Sequence, residues 1–206
     1  MADPLALAKI KPYADLSGAD LSGANLSATN LEGVKLENAN LSGANLSGSN
    51  LTDAKLENAK LENANLGSAN LYHAKLKNAN LTYANLTYAN LTWAKLENAN
   101  LKNADLDSAN LKNADLSGVS LEDANLSGAN LSDATLYFAD MIDANLSGAN
   151  LCGARLRHAN LRCTDLRGAD LHGATLYITD LGFADLRGAN LKDVNLEYAN
   201  MEGAKR

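Results

Sequence analysis

The sequence predicts an all-β solenoid in which the chain coils around a narrow apolar bore, with four sides to each coil. Leu or Met occupies every fifth position from Leu16 to Met201, which makes 38 repeats without an insertion. Ala stands two residues before this central position in 31 repeats, and Asn or Asp stands directly before it in 29. An unbroken short repeat of this kind indicates one structural unit and not several domains.

A five-residue period fits neither an α-helix nor a flat β-strand. Five residues advance an α-helix by roughly 140°, which would spread the leucines around all of its sides. In a strand, an odd period sends successive leucines to opposite faces. Ala and Leu two residues apart do share one face of a short extended segment, so the chain must turn a corner in every repeat. Gly and Asn two residues after the centre, as at Gly18, Gly23 and Asn38, suit such corners.

A recurrence of 20 residues gives the number of sides. Lys35, Lys55, Lys75 and Lys95 each precede a central Leu and are each followed, three residues on, by Asn. Twenty residues are four repeats, so we expect a square coil, and 38 repeats divided by four make about nine and a half coils. At a strand spacing of ~4.8 Å the stack would be roughly 45 Å long.

The two ends of the repeat region lead to different expectations. Residues 1–13 are predicted to form an N-terminal cap with a short helix, because Asp3-Pro4 suits a helix start. Residues 14–204 are predicted to form the solenoid, followed by a tail at 205–206. No such cap follows the last coil, and an uncovered strand edge over an apolar face favours association. We therefore expect a homodimer through this C-terminal end, which is centred on Leu186, Leu191, Leu196 and Met201.

Composition restricts the class of partner. The chain has 24 acidic and 18 basic residues and a formal net charge of -6. Nucleic-acid-binding domains are usually basic, so we expect no direct nucleic-acid binding. The sequence has no apolar run that could span a bilayer and no secretory signal pattern. Cys152 and Cys163 do not form a disulfide framework. These features predict a cytoplasmic protein that is not bound to a membrane.

The repeats resemble the pentapeptide-repeat family, whose pattern is A-[DN]-L-x-x, as in residues 19–23 (ADLSG) and 44–48 (ANLSG). The resemblance extends over the whole repeat region and implies a right-handed quadrilateral β-helix. Some members of the family protect DNA gyrase by imitating DNA, which is an alternative function for this chain. Duplex DNA carries one charge per roughly 1.7 Å, so a ~45 Å mimic would need about 26 uncancelled negative charges. The acidic residues available for this role lie mainly at Asp105, Asp107, Asp115, Glu122, Asp123, Asp133, Asp140 and Asp143.

No constellation predicts catalysis, a cofactor or a metal. Cys152 and His172 occupy equivalent positions one coil apart, but neither a nucleophile–base–orienting set nor a zinc ligand set is complete around them. A bore filled with Leu leaves no pocket for a substrate. The four recurring lysines described above form a column on one side of the coil, which we call the lysine ladder. Glu37, Glu57 and Glu97 lie among them, so we expect a solvated, salt-bridged surface there. A phosphate-binding strip is the alternative.

Aromatic groupings supply the candidate binding residues. Tyr83, Tyr88 and Trp93 occupy three corners of one coil, with His73 one coil before Trp93. A second grouping lies around the corner series that starts at Phe138. Stacked aromatic residues can brace neighbouring coils, and an exposed apolar patch with Arg and Tyr can also bind a protein. We predict a non-enzymatic solenoid that binds a protein partner, with a contact patch of Tyr137, Phe138, Ile142, Arg157, Tyr177, Ile178, Phe183 and Tyr198.

Overall fold

A computed structural model describes residues 10–206 of the chain. Residues 1–9 of the predicted cap lie outside the described residues, and residues 10–13 contain no helix. Coil geometry begins before residue 14: the Ala14 N–H donates a hydrogen bond to the Lys11 carbonyl oxygen at 3.3 Å, and Tyr13 has φ 58°. The first corner is therefore built by the backbone around Lys11, although no Leu stands there.

Every bridge in the described chain is parallel and joins residue n to residue n+20, from Asp15 with Lys35 to Asp185 with Lys205. The coil therefore has four sides, as the 20-residue recurrence predicts, and the fold is a right-handed quadrilateral β-helix. Each side contains one bridging residue between two turns. Residues 10–206 contain no helix and no strand longer than this single bridge.

The four sides are named by their bridging residues. Side A carries residues 15, 35 and so on to 195; side B carries 20 to 200; side C carries 25 to 205; and side D carries 30 to 190. The edge between two sides is formed by the corner residues. The A/B edge carries residues 18, 38 and so on to 198, and the B/C edge carries residues 23 to 203.

Each corner is a turn closed by a hydrogen bond, as between the Ala19 N–H and the Leu16 carbonyl oxygen at 3.0 Å. The third residue of the turn has positive φ in all 38 repeats, of which 13 have Gly there and 25 have another residue. A positive φ at this place is the requirement of a type II turn. This is why Gly and Asn recur two residues after the centre.

The bore is filled by the central residues and by the residues two places before them. Every central side chain from Leu21 to Leu186 is at most 3% exposed. Ser49, Thr164 and Thr179 replace Ala in this core and are also buried. Their hydroxyls donate to main-chain carbonyl oxygens at 2.7, 3.1 and 2.7 Å, which offsets the desolvation of a buried polar group.

The Asn or Asp before each centre has a structural role. The Thr52 N–H donates to Asn50 Oδ1 at 3.2 Å, and Asn50 Nδ2 donates to Asn30 Oδ1 of the preceding coil at 3.1 Å. Asn thus accepts from its own turn and donates to the neighbouring coil, while Asp can only accept. The preference for these two residues follows from the turn that they close.

The last described coil is less buried than the others, since Leu191, Leu196 and Met201 are only half-buried. No helix long and apolar enough to cross a membrane occurs in the part of the chain that the structure describes.

Candidate protein-binding surface

Corner side chains lie over the corner residue of the next coil. A Cβ added to Gly203 would stand 2.5 Å from the Phe183 ring, and one added to Gly33 would stand 2.4 Å from the Tyr13 ring. Bulky residues on successive corners of one edge can therefore stack on one another. Where the next corner is Gly, the ring of the preceding corner occupies the space that a side chain would need.

The A/B edge changes character along the rod. Its first six corners, residues 18 to 118, are all Gly or Asn. Its last four are Phe138, His158, Ile178 and Tyr198, with φ values of 58°, 60°, 54° and 58°. Positive φ is uncommon for such residues and is a genuine outlier for a β-branched one. Phe138, Ile178 and Tyr198 are also exposed, by 66%, 40% and 72%.

Side A supplies the neighbours of this edge. The Arg157 Cζ atom lies 5.0 Å from the centre of the Tyr177 ring. The Tyr177 ring meets the Tyr198 ring edge-on at 5.5 Å, and the Phe138 ring stacks on His158 at 4.9 Å with an angle of 4°.

A groove of about 290 Å³ opens between Tyr137, Phe138, Arg157 and His158. The groove joins the Phe138–His158 stack to the row of Arg157, Tyr177 and Tyr198. Ile178 lies on the A/B edge between the corners of His158 and Tyr198. We refer to this set of residues as the edge patch. It consists of Tyr137, Phe138, Arg157, His158, Tyr177, Ile178 and Tyr198.

Six of the eight predicted contact residues belong to the edge patch, and two lie elsewhere. Ile142 is on side B, and Phe183 is on the B/C edge beside Arg162, whose Cζ lies 5.6 Å from the ring. None of the aromatic or cation–π contacts between described residues connects these two with the edge patch. His158, which the predicted contact set lacks, is a lining residue of the groove.

Three other arginines, on sides B and C, are held by carboxylates. Arg162 lies 3.5 Å from Asp180, and Arg167 and Arg187 each form two-pronged contacts, at 2.6 Å, with the Asp two residues earlier. The hydrogen bond from Arg187 lowers the pKa of the Asp185 carboxyl from its ordinary 3.8 to about 2. The hydrogen bond from Arg167 lowers the pKa of Asp165 in the same way.

Arg155 and Arg157 differ from these three. Both are exposed on side A, and neither lies within 4 Å of a carboxylate of residues 10–206. Side A carries no acidic residue between Asp115 and Glu197. This stretch of side A adjoins the edge patch, so Arg155 and Arg157 are the charged residues of side A next to the patch. The nearest carboxylate on the edge between sides D and A is that of Asp133, whose Oδ1 would stand 2.8 Å from a Cβ added to Gly153.

The prediction that the four lysines of side A form salt bridges with Glu37, Glu57 and Glu97 is wrong. Lys35 pairs with Asp15 at 3.3 Å, but no ladder lysine pairs with Glu37, Glu57 or Glu97 in the described chain. Glu57 and Glu97 each keep a buried carboxylate oxygen without a hydrogen-bond partner. Exposed ion pairs are worth about 0–1 kcal/mol, too little to hold long side chains in one arrangement.

The remaining candidates are placed as follows. His172 Nδ1 lies 3.1 Å from the Lys192 carbonyl oxygen and 3.8 Å from Asp193, so the ring faces the following coil and not Cys152. Cys163 lies on the B/C edge and is exposed. No group of three or more potential metal ligands occurs within residues 10–206.

The mid-rod aromatics form a second, smaller cluster. Tyr72 stacks on His73 at 4.2 Å, and His73 meets Trp93 edge-on at 6.4 Å. His73 also lies 3.7 Å from Asp53. Tyr72 was not among the residues expected here from the sequence; its position on side D, next to the corner that carries His73, places it in the cluster.

A coil of this shape, with a filled bore and side-chain columns on its surface, defines the class of β-solenoid repeat proteins. Residues 49–126 match the family described as "Pentapeptide repeat region". The family "Pentapeptide repeats (8 copies)" matches residues 14–53, 109–148, 139–176 and 179–205. The chain belongs to the pentapeptide-repeat family, and it is a structural repeat protein.

Two solved structures illustrate the relationship. HetL, a pentapeptide repeat protein involved in heterocyst differentiation regulation from the cyanobacterium Nostoc sp. strain PCC 7120, is 35% identical. The match covers 95% of this chain and 90% of HetL, with a TM-score of 0.54. Full-length QnrB1, a plasmid-mediated fluoroquinolone resistance protein, is 21% identical over 87% of this chain and 90% of its own, with a TM-score of 0.57. At that identity QnrB1 shares the fold alone. No curated protein sequence matches the chain.

Proposed function

We propose that this chain is a non-catalytic solenoid that binds another protein through the edge patch. The observation that carries the proposal is the change along the A/B edge, from six corners of Gly or Asn to Phe138, His158, Ile178 and Tyr198. A left-handed backbone costs roughly 1–2 kcal/mol for a residue other than Gly. Residues with this backbone cost recur in four consecutive coils, and three of the four side chains are exposed, which favours a role outside folding.

Bracing of neighbouring coils is the competing explanation. An aromatic pair contributes about 0.5–1.5 kcal/mol beyond its buried area, which is no more than the backbone cost at one corner. Phe138 and Tyr198 also leave about two-thirds of their surface in water. Bracing alone therefore does not explain the four residues, whereas an exposed apolar cluster with Arg and Tyr has the composition of protein-binding hot spots.

The involvement of HetL in the regulation of heterocyst differentiation is compatible with this proposal, because a protein can regulate a process by binding another protein. The cytoplasmic location stays a prediction.

Capture of partners by variants tests the proposal. The patch variant carries Phe138→Ser, Tyr177→Ser and Ile178→Ser, and its matched control carries Tyr83→Ser, Tyr88→Ser and Trp93→Ser on other edges. Partners captured from native extract by the parent and by the control should be lost with the patch variant, while its circular dichroism spectrum is retained. If the patch variant unfolds without changing the recovery of any partner, the bracing explanation is correct.

The alternative function, imitation of DNA towards gyrase, is favoured by one local feature. Glu122, Asp123, Asp140 and Asp143 lie on side B and the B/C edge within two coils. Lys102 pairs with Glu122 and reduces this charge. A gyrase supercoiling assay tests the alternative: inhibition or protection that is lost on Asp140→Asn with Asp143→Asn would favour it over the edge patch.

The expected C-terminal homodimer also stays a prediction. Leu196 and Met201 are half-buried in the last described coil, so a second copy could cover them. Light scattering over a concentration series should show a dimer that Leu196→Asp with Met201→Asp abolishes. A parent that stays monomeric at high concentration would refute it.

A further inference from the structure

We infer that the edge patch recognises an acidic protein segment, in which carboxylate side chains flank one large apolar side chain. This inference rests on the proposed function, because it names the chemistry of the partner at the same surface. It depends on the two unpaired arginines, on the groove beside them and on the charges that border the patch.

The arginines supply the first argument. Of the five arginines between residues 155 and 187, three have a carboxylate partner at 3.5 Å or less. Arg155 and Arg157 have none within the described residues, although the chain as a whole is acidic. They stand two residues apart, on either side of the buried Leu156, and both are exposed on side A. Arg157 is also held against the Tyr177 ring, which leaves its hydrogen-bonding edge ordered for a carboxylate.

The groove supplies the second argument. Its volume of about 290 Å³ lies between Phe138, Tyr137 and His158, with Arg157 as the fourth wall. Such a groove accepts one large apolar side chain next to the guanidinium. A segment that fills it can therefore place a neighbouring carboxylate on Arg157 and another on Arg155.

The charges around the patch limit the length of the partner's acidic stretch. Thr135, Arg155 and Thr175 lie on successive coils, so the strip of side A without carboxylates extends over about 10 Å around the two arginines. Asp115 and Glu197 border it along side A, and Asp140 borders it across the A/B edge. Asp133 and Asp193 border it on the edge between sides D and A. A long polyanion such as a nucleic acid would meet these carboxylates, whereas three or four extended residues, at ~3.3 Å each, would not.

An array of immobilised hexapeptides tests the inference. Each acidic peptide alternates Asp or Glu with Leu, Phe or Tyr, and each has a neutral counterpart with Asn or Gln and a basic counterpart with Lys or Arg. The full chain is applied as the parent, as Arg155→Glu with Arg157→Glu, and as a control with Lys112→Glu and Lys192→Glu. The control makes the same change in net charge on side D, where both lysines are exposed.

The parent and the control should retain the acidic peptides about tenfold more strongly than the neutral ones. The preference should fall as salt is raised, since ~0.1 M salt screens exposed charges beyond about 10 Å. The Arg155→Glu and Arg157→Glu variant should prefer the basic peptides. A parent without acidic preference, or a preference that survives in this variant, would overturn the inference.

Two further outcomes separate this inference from the proposed function. If the Phe138→Ser, Tyr177→Ser and Ile178→Ser variant loses peptides of every charge, while the arginine changes have no effect, the edge patch binds protein but does not select acids. If neither variant changes peptide binding, both proposals fail. Displacement of the acidic peptides by a 15-nucleotide single-stranded DNA at equal concentration would instead identify a nucleic-acid surface and overturn the inference.

Discussion

Replacement of Phe138 by Asn separates the contribution of the edge patch to folding from its contribution to binding. Phe138 is 66% exposed, so it gains about a third of the 1.5–3 kcal/mol that full burial provides, or about 0.5–1 kcal/mol. The stack on His158 adds about 0.5–1.5 kcal/mol. Against this, the positive φ costs about 1–2 kcal/mol for Phe and less for Asn.

These terms nearly cancel, so Phe138→Asn should change the free energy of unfolding by less than about 1 kcal/mol. Urea unfolding followed by circular dichroism measures this, through the transition midpoint at constant slope. Partner capture should fall in the same variant. Asn38→Phe, on the same edge but outside the patch, is the matched control: it introduces the same ring and should not create binding.

A loss of more than about 2 kcal/mol in Phe138→Asn would exceed what the exposed ring and its stack can provide. With partner capture unchanged, that result would show that the A/B edge braces the coils, and the proposed function would lose its main support.

Three further predictions concern the rod itself. Leu96→Ala, at a fully buried centre, should cost about 2–5 kcal/mol because the bore cannot collapse around the cavity; a loss below about 1 kcal/mol would contradict its inward position. Gly203→Ala should lower the free energy of unfolding by about 1–3 kcal/mol more than Gly173→Ala does. Both residues have positive φ, but only at Gly203 would the new Cβ stand 2.5 Å from an aromatic ring. Equal losses of stability on thermal unfolding would refute the corner packing. Arg187→Gln should lower stability at neutral pH, and its difference from the parent should shrink as the pH falls from about 4 to about 2. The pKa of Asp185 is depressed to about 2 in the folded protein, so its ion pair contributes fully above the unfolded pKa of about 4 and is lost as the pH falls through about 2. A difference at about pH 2 as large as that at neutral pH would contradict this.

The coil could be predicted from the sequence because one period determines which residues face inward. Once Ala and Leu must both reach the bore, a corner is needed in every repeat, and the lysine recurrence gives the number of sides. The handedness came from the family resemblance, since spacing alone is the same for either hand. The early start of the coil at Lys11 could not be predicted from the Leu pattern, because the turn there is closed by main-chain atoms.

The sequence predicted which edge of the coil carries the candidate site residues, but not how their side chains are arranged. The 20-residue period places Phe138, His158 and Ile178 on one edge. It does not show that corner side chains lie over the next coil, which depends on side-chain torsions. The predicted contact patch also included Phe183, one corner after Ile178, because register shows that two residues stand on neighbouring edges but not whether their side chains touch. The prediction of salt bridges along the lysine ladder was wrong because the 20-residue period brings opposite charges to the same side of the coil but does not hold their flexible side chains in contact.

The separation of core and surface explains how such a rod can acquire a binding site. The Leu and Ala columns and the main-chain bonds between coils are the same along the rod, so the outer columns carry little of the folding free energy. Phe138 and Ile178 are 40 residues apart in sequence but only two coils apart, or about 10 Å, along one edge. A few corner substitutions at this spacing therefore create a continuous apolar patch, and two arginines on the adjoining side give it a charge. Because every corner already has positive φ, each such substitution changes only a local cost of about 1–2 kcal/mol and leaves the coil intact.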